Sequence, residues 1–563
     1  VTTTDRDIFE GRPPATGADQ PAILRATDLT GVHVLKHENM FMLSNAHGDI
    51  RPDGRGLGLY DSDTRILSTY DLLLNGLHPV VLRAGPAASY RGTIQLTNPD
   101  MFADTAAKSD ASEIVLRRQS LGMIRERVVS GGFAERIVIT NYTMRPERAL
   151  LRLTLDADYA DIFELRGVVR PRRGERLANE VADGRVSFGY RGLDGVLRRT
   201  HLQISPEMTV IGGAESGMPT AVILELDVTV APGAANVLSV EIWHEQEDAG
   251  SHAAAAGGSG APALAPPRIA ADQAEATHRA WRQSSAAIDT GHVLTERALD
   301  RASADLRLLL NTGRTQDERY IAAGVPWFSC LFGRDSIITS LQMLAVRPQL
   351  AQNTLRILAE YQASAADEYR DAQPGKILHE LRTGELAGSG EIPHTPYYGS
   401  VDSTPLWLIL LDEYERWTGD LALVDQLWPN ALAALDWIDH HGDVDGDGFV
   451  EYERYSTRGL LNQGWKDSGD SIRFADGTLA DGPIALVEVQ GYVYAARRGL
   501  ARLARIRGDA ELAADQDRRA ETLRERFEDK FWMSGAGTYA LALDGAKRQV
   551  DAIASNAGHA LWS

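Results

Sequence analysis

From about residue 30 to residue 245, apolar and polar positions alternate in short runs. Val32-His33-Val34-Leu35, Ile114-Val115-Leu116, Ile137-Val138-Ile139, Leu151-Arg152-Leu153-Thr154-Leu155 and Val237-Leu238-Ser239-Val240-Glu241-Ile242 are the clearest. A period of two places alternate side chains on one face of a strand. Asn75-Gly76, Ala182-Asp183-Gly184 and Pro232-Gly233 separate such runs, and these residue types tolerate turn backbone. Many short strands at this spacing predict an antiparallel β-sandwich. Further along, the period becomes helical: Leu299, Ala302, Leu306, Leu309 and Leu310 share one face, and Ala520, Leu523, Phe527 and Phe531 another. Thr404-Pro405 predicts a helix start, with Thr as N-cap and Pro in the first position, and Gly419 its end. Asp335-Ser336 predicts another start, ahead of the apolar run 337–346.

Residues 250–268, rich in Ala, Gly, Ser and Pro, separate the two patterns and read as a linker. The expected division is a polar lead-in (1–25), a β-sandwich domain (26–249), the linker, and a helical domain (269–563) with about eight helices from residue 295 onward. A length of 563 residues independently calls for more than one domain.

A formal net charge of −20 argues against nucleic acid as a partner and suits a neutral ligand. Hydrophobic content of 44% with 24% charged residues is that of a water-soluble globular chain. No run of about 18 apolar residues predicts a membrane span, and the first residues lack the basic-then-apolar pattern of a signal peptide. Cys330 is the single cysteine. It permits no disulfide within the chain, which fits a reducing, cytoplasmic setting. Lacking a basic neighbour, it reads as a small buried hydrophobe and not a nucleophile. His379-Glu380 has no second histidine at helical spacing, so no metal is expected there. Residues 443–451 imitate the first half of an EF-hand loop, but the twelfth position is Arg454 where an acid belongs. A tight Asp/Gly turn joining two helices is the preferred reading, with calcium as the alternative.

Two segments carry candidate chemistry. In residues 324–336, Trp327 and Phe328 precede an adjacent Arg334-Asp335 pair. An aromatic face covers the C–H side of a sugar ring, and a charged pair grips vicinal hydroxyls. From spacing alone, a buried aromatic loop with a structural ion pair is an equal reading. In residues 462–471, Trp465-Lys466-Asp467 is flanked by glycines, with Asp470 close behind. Glycoside hydrolysis requires a protonated carboxyl at the leaving oxygen, and apolar surroundings raise a carboxyl pKa. An ordinary Asx turn is the alternative. Glu488 sits among apolar residues at a helix start near Gln490, and a carboxylate there is either paired or functional. Residues 371–404, polar, aromatic and without periodicity, form a long loop of the kind that carries function.

Residues 324–336 resemble the sugar-gripping loop of the glucoamylase-like (α/α)6-barrel glycosidases, and most of all that of the bacterial amylo-α-1,6-glucosidase (glycogen-debranching) family. Residues 58–65 (Gly-Leu-Tyr-Asp-Ser-Asp-Thr-Arg) and Leu74-Asn75-Gly76 resemble that family's N-terminal domain, and the similarity runs from about Phe41 to the last residue. The resemblance implies a β-sandwich followed by an (α/α)6 barrel. It implies that Arg334 and Asp335 bind hydroxyls of a non-reducing terminal sugar, with Trp327 as the aromatic wall. Asp467, two residues after Trp465, aligns with the general acid, in preference to Asp470. Trp465, Lys466, Glu488 and Gln490 would bind the sugar or orient the acid, and Tyr397, Tyr398 and Asp402 would line the substrate-side rim. Such a barrel takes about twelve helices, so it is expected to be incomplete in this chain. The glutamate base is expected beyond Ser563, or failing that among Glu380, Glu391 and Glu488. The function implied is exo-acting, inverting hydrolysis of a terminal α-glucosyl unit from an oligo- or polysaccharide, including an α-1,6 branch, without a cofactor. A different α-glycosidase, a glycoside phosphorylase on the same fold and a non-catalytic glycan-binding protein are the alternatives.

Overall fold

The computed structural model describes residues 31–52, 56–102, 114–212, 220–247, 267–313, 315 and 318–563. The expected lead-in and residues 250–266 of the expected linker lie outside the described residues.

The N-terminal half is antiparallel β structure. A nine-stranded sheet runs Val80–Ala88, Arg91–Thr97, Leu121–Val129, Phe133–Asn141, Ala235–Glu247, Leu197–Ser205, Arg185–Arg191 and Glu175–Arg176, with Glu180–Ala182 also paired to Arg185–Arg191. A four-stranded sheet is built from Thr69–Leu74, Glu147–Asp156, Val222–Val230 and Thr209–Val210, and another from His33–His37, Met40–Ser44, Gly58–Asp61 and Thr64–Leu67. Inward residues of all three, including Met42, Ile137, Leu153, Leu224 and Val240, meet in one apolar core. Glu147–Asp156 alternates buried and less buried positions along its whole length, as its period of two requires. At both Asn75-Gly76 and Asp183-Gly184 the two residues have positive φ, the backbone of a two-residue hairpin turn.

The C-terminal half is helical. Helix α1 (Pro267–Gln283) packs on the β domain: the His278 ring lies 4.5 Å from that of Tyr90, whose hydroxyl donates to Glu275. Helix α2 (Val293–Leu309) follows, and then three helical hairpins: α3 (Gly333–Met343) with α4 (Gln349–Glu360), α5 (Ser403–Thr418) with α6 (Leu421–His440), and α7 (Val487–Ile506) with α8 (Ala510–Phe531). The first helices of the pairs pack side by side, α3 on α5 and α5 on α7. Helix α5 is accordingly buried along most of its length. Within each pair the connection is short, whereas the links between pairs, 361–402 and 441–486, are long. The two long links therefore lead into the N-terminal ends of α5 and α7.

Several local expectations are corrected. Helix α3 begins at Gly333, two residues ahead of Asp335. Gly333 N donates to His379 O at 2.9 Å, and a Cβ at this position would stand 2.1 Å from Leu378 O, so only glycine permits the approach. Helix α5 begins at Ser403 without a side-chain cap; Thr404 lies inside it and accepts from Ile377 N at 3.0 Å. Leu310 leaves its predicted helix for a short strand, Leu310–Thr312, and Ala302 faces solvent. The second predicted stripe packs inward, with Ala520, Leu523 and Phe531 buried.

The acidic loop 443–451 follows α6 but leads into the long 441–486 segment and not directly into a helix. Asp443 accepts from Gly446 N and Gly448 N, at 2.8 and 2.9 Å. The Lys547 ammonium sits 2.8 Å from Asp445 Oδ2 and 2.7 Å from Asp447 Oδ2, and also bonds Glu451 Oε1. Glu451 is buried, and among the described residues its second oxygen has no partner. Lys547→Ala is expected to lower unfolding free energy by about 1–3 kcal/mol, because a buried acceptor loses its donor. A denaturant midpoint equal to wild type would refute this.

Candidate active site

The site assembles where the three inner helices begin. Arg334, in the first turn of α3, is buried and ties together two distant segments. Its Nη1 donates to Asp402 Oδ2 at 3.0 Å and to Gly464 O at 2.9 Å, and its Nη2 donates to Asp467 Oδ2 at 3.1 Å. Asp402, at the cap position of α5, is fully buried and also accepts from Ser400 Oγ at 2.6 Å. A planar guanidinium holds two carboxylates and a carbonyl in one fixed fork geometry, which the rotating point charge of a lysine does not impose. Asp335 is partly exposed beside it; burial pushes its carboxyl up while the Arg334 charge pulls it down, for a net rise.

The 462–471 loop is braced from below. Tyr452 OH donates to Asn462 Oδ1 at 2.7 Å, Asn462 Nδ2 donates to Ser468 O at 2.7 Å, and Ser471 Oγ donates to Lys466 O at 2.6 Å. Asp467 keeps 40% of its side chain exposed. Partial burial pushes its carboxyl above the usual range, against the opposing pull of Arg334. Asp470 lies apart, exposed and paired with Arg473 at 2.9 Å. Trp465 is 40% exposed, its ring 4.8 Å from that of His559, which is itself bonded to Tyr492 OH. Lys466 Nζ lies 5.9 Å from the centre of the Trp465 ring.

Behind this face stands a buried layer. Glu488, in the first turn of α7, is fully buried under the loop, and its Oε1 accepts from Asn556 Nδ2 at 2.8 Å. Desolvation raises its carboxyl to about 7. Gln490 is buried and bonds both Val450 N and Val450 O. Tyr397 and Tyr398 are buried too, their hydroxyls donating to Asp371 Oδ2 and Tyr361 O, each at 2.7 Å. Asp371, to which the sequence reading gave no role, is a hub. It accepts from Tyr455 N and Ser456 N at 2.8 Å and from Gln463 Nε2 at 3.2 Å. Its left-handed backbone, φ 52°, turns the chain at that point, but no pattern in the sequence marks the position.

The β domain closes one side. Trp327 lies against Gly56, where a Cβ would stand 2.8 Å from the indole; φ at Gly56 is +69°. Asp63 accepts from Arg382 Nη1 at 2.7 Å and from Thr383 N at 2.8 Å, so residues 58–65 pin the β domain to the helical domain. Glu380 is held by Arg382 and His394, and Glu391 by Arg170. The Cys330 thiol is buried, 3.8 Å from Glu380 Oε1, and burial pushes its pKa well up, which disfavours a thiolate.

Two features now define the class: an antiparallel β domain against helical hairpins, and a carboxyl–guanidinium cluster where the inner helices begin. Residues 35–241 match the N-terminal domain of some glycogen debranching enzymes. Residues 331–560 match the mannosylglycerate hydrolase MGH1-like glycoside hydrolase domain. Among solved structures, the chain resembles a bacterial glucoamylase complexed with acarbose at 11% identity and TM-score 0.54, covering 96% of this chain and 73% of that one. A protein assigned as a kojibiose phosphorylase, from human microbiome, resembles it at 8% identity and TM-score 0.52, covering 93% and 71%. No curated protein sequence matches it. The fold is an N-terminal antiparallel β domain followed by a helical domain of the glucoamylase-like (α/α)6 type. Among the described residues no helix is long and apolar enough to cross a membrane.

Proposed function

We propose that the chain is an exo-acting, inverting glycoside hydrolase that removes a terminal α-glucosyl unit, including an α-1,6 branch, from an oligo- or polysaccharide in the cytoplasm. One observation carries the reading. Asp467 is a partly exposed carboxyl with a raised pKa, held by Arg334 two residues after the exposed Trp465. Raising a carboxyl pKa favours its protonated form, the form that can protonate a departing glycosidic oxygen. In this reading Asp467 is the general acid. Arg334, Asp335 and Lys466 hold hydroxyls of the terminal sugar, and Trp327 and Trp465 cover its apolar face. Asp402, Glu488, Gln490, Tyr397 and Tyr398 form the layer that positions them.

Phosphorolysis is the second reading, favoured by the fold likeness to the protein assigned as a kojibiose phosphorylase. A fold does not fix a reaction. Incubating the protein with glucose oligosaccharides of defined linkage, with and without phosphate, separates the two. Free glucose released without phosphate is the expected result. A sugar phosphate formed only with phosphate would establish the second reading, and binding without turnover would leave a lectin-like role.

A further inference from the structure

One group of acids is used by none of these roles. Asp443, Asp445 and Asp447, on the loop after α6, each bring a carboxylate oxygen within 4.8 Å of the other two. Like charges this close repel, and a cation must offset them. The Lys547 ammonium does so in part: it pairs with Asp445 and Asp447 and bonds Glu451 Oε1. Arg526 also reaches the loop, but it donates to the main-chain oxygen of Asp447 and not to a carboxylate.

An ammonium carries a single charge and three N–H donors. Asp445, Asp447 and Glu451 take all of them. Among the described residues, Asp443 is then met only by the backbone N–H groups of Gly446 and Gly448, and the second oxygen of Glu451 by nothing, although that side chain is 0% exposed. A buried acceptor without a donor is costly, and it points to a ligand that the ammonium does not replace in full. Calcium carries a double charge and takes about six to eight oxygens, often with a carboxylate bidentate. It matches what the ammonium leaves unmet: the third aspartate and the second oxygen of Glu451. The acid that an EF-hand loop carries at the position of Arg454 is supplied here by the buried Glu451, three residues earlier.

We propose that Asp443, Asp445, Asp447 and Glu451 form a calcium site for which the Lys547 ammonium competes. Both partners lean on the start of α7. Val450 bonds Gln490 through its backbone N and O, and Ala542–Leu543, ahead of Lys547, pairs with Ala485–Leu486, which leads into α7. The ion would brace the helix that carries Glu488, whatever reaction the site performs. The test uses chelator-treated full chain, unsubstituted and with Lys547→Gln, titrated with calcium by calorimetry and unfolded in urea with and without it. The unsubstituted protein should bind calcium, and Lys547→Gln should bind it at least about tenfold tighter, because the competing charge is gone. Calcium should raise the urea midpoint of Lys547→Gln by more than that of the unsubstituted protein, as ligand linkage requires. Adding Glu451→Gln should weaken calcium binding at least about tenfold; Asp445→Asn, on a partly exposed side chain, serves if that variant fails to fold. If Lys547→Gln folds only with calcium, its recovery on refolding with the ion and not without it gives the same answer. No calcium binding by the unsubstituted protein, equal affinity with and without Lys547, or an affinity unmoved by Glu451→Gln and Asp445→Asn would overturn the proposal.

Discussion

Asp467→Asn is expected to lower turnover at least about a hundredfold, the ordinary scale of general acid catalysis. The amide keeps the shape of the side chain and can still accept from Arg334 Nη2, so loop 462–471 should keep its place and sugar affinity should change little. The loss should therefore fall on kcat and not on KM, the signature of an interaction made in the transition state. Asp470→Asn is the internal control: its carboxylate faces solvent beside Arg473, away from Arg334. A nearly normal Asp467→Asn together with an inactive Asp470→Asn would reverse the assignment.

The parts of this molecule legible in its sequence are those set by short-range rules. Strand alternation at residues 151–155 and the hairpin turn at Asn75-Gly76 follow from period and backbone freedom, and both are present. Helix starts were less legible, because tertiary contacts decide them. Gly333 is drawn into α3 by a backbone approach to Leu378 and His379, and the Asp402 carboxylate is turned from its own helix toward Arg334. The same limit applies to the candidate site. Arg334 and Asp467 stand out as residue types in aromatic and glycine-rich context, yet nothing in 133 residues of separation states that they touch. Asp371 escaped notice for a related reason. Its role depends on groups far away in the chain, and it lies in no periodic element.

Arg334→Met is expected to have the largest effect on the fold and to expose the link between fold and chemistry. Asp402 would remain fully buried, with Ser400 as its remaining side-chain donor among the described residues. Removing one partner of a buried ion pair typically costs about 3–5 kcal/mol, since the charge left behind is uncompensated. The double substitution Arg334→Met with Asp402→Asn removes that charge, and it should be more stable than Arg334→Met alone. That non-additivity is the measure of direct coupling. The pH profile provides an independent reading. Arg334 pulls the Asp467 carboxyl down while burial pushes it up. Without the guanidinium, Asp467 should hold its proton to higher pH, so residual activity in the double variant should decline on the alkaline side at a higher pH than in wild type. Urea midpoints of the four proteins of the cycle, with kcat measured from pH 5 to 9, test both expectations. Additive stabilities would show that Arg334 does not serve Asp402. An unmoved alkaline limb would show that the group titrating in activity is not the carboxyl beside Arg334.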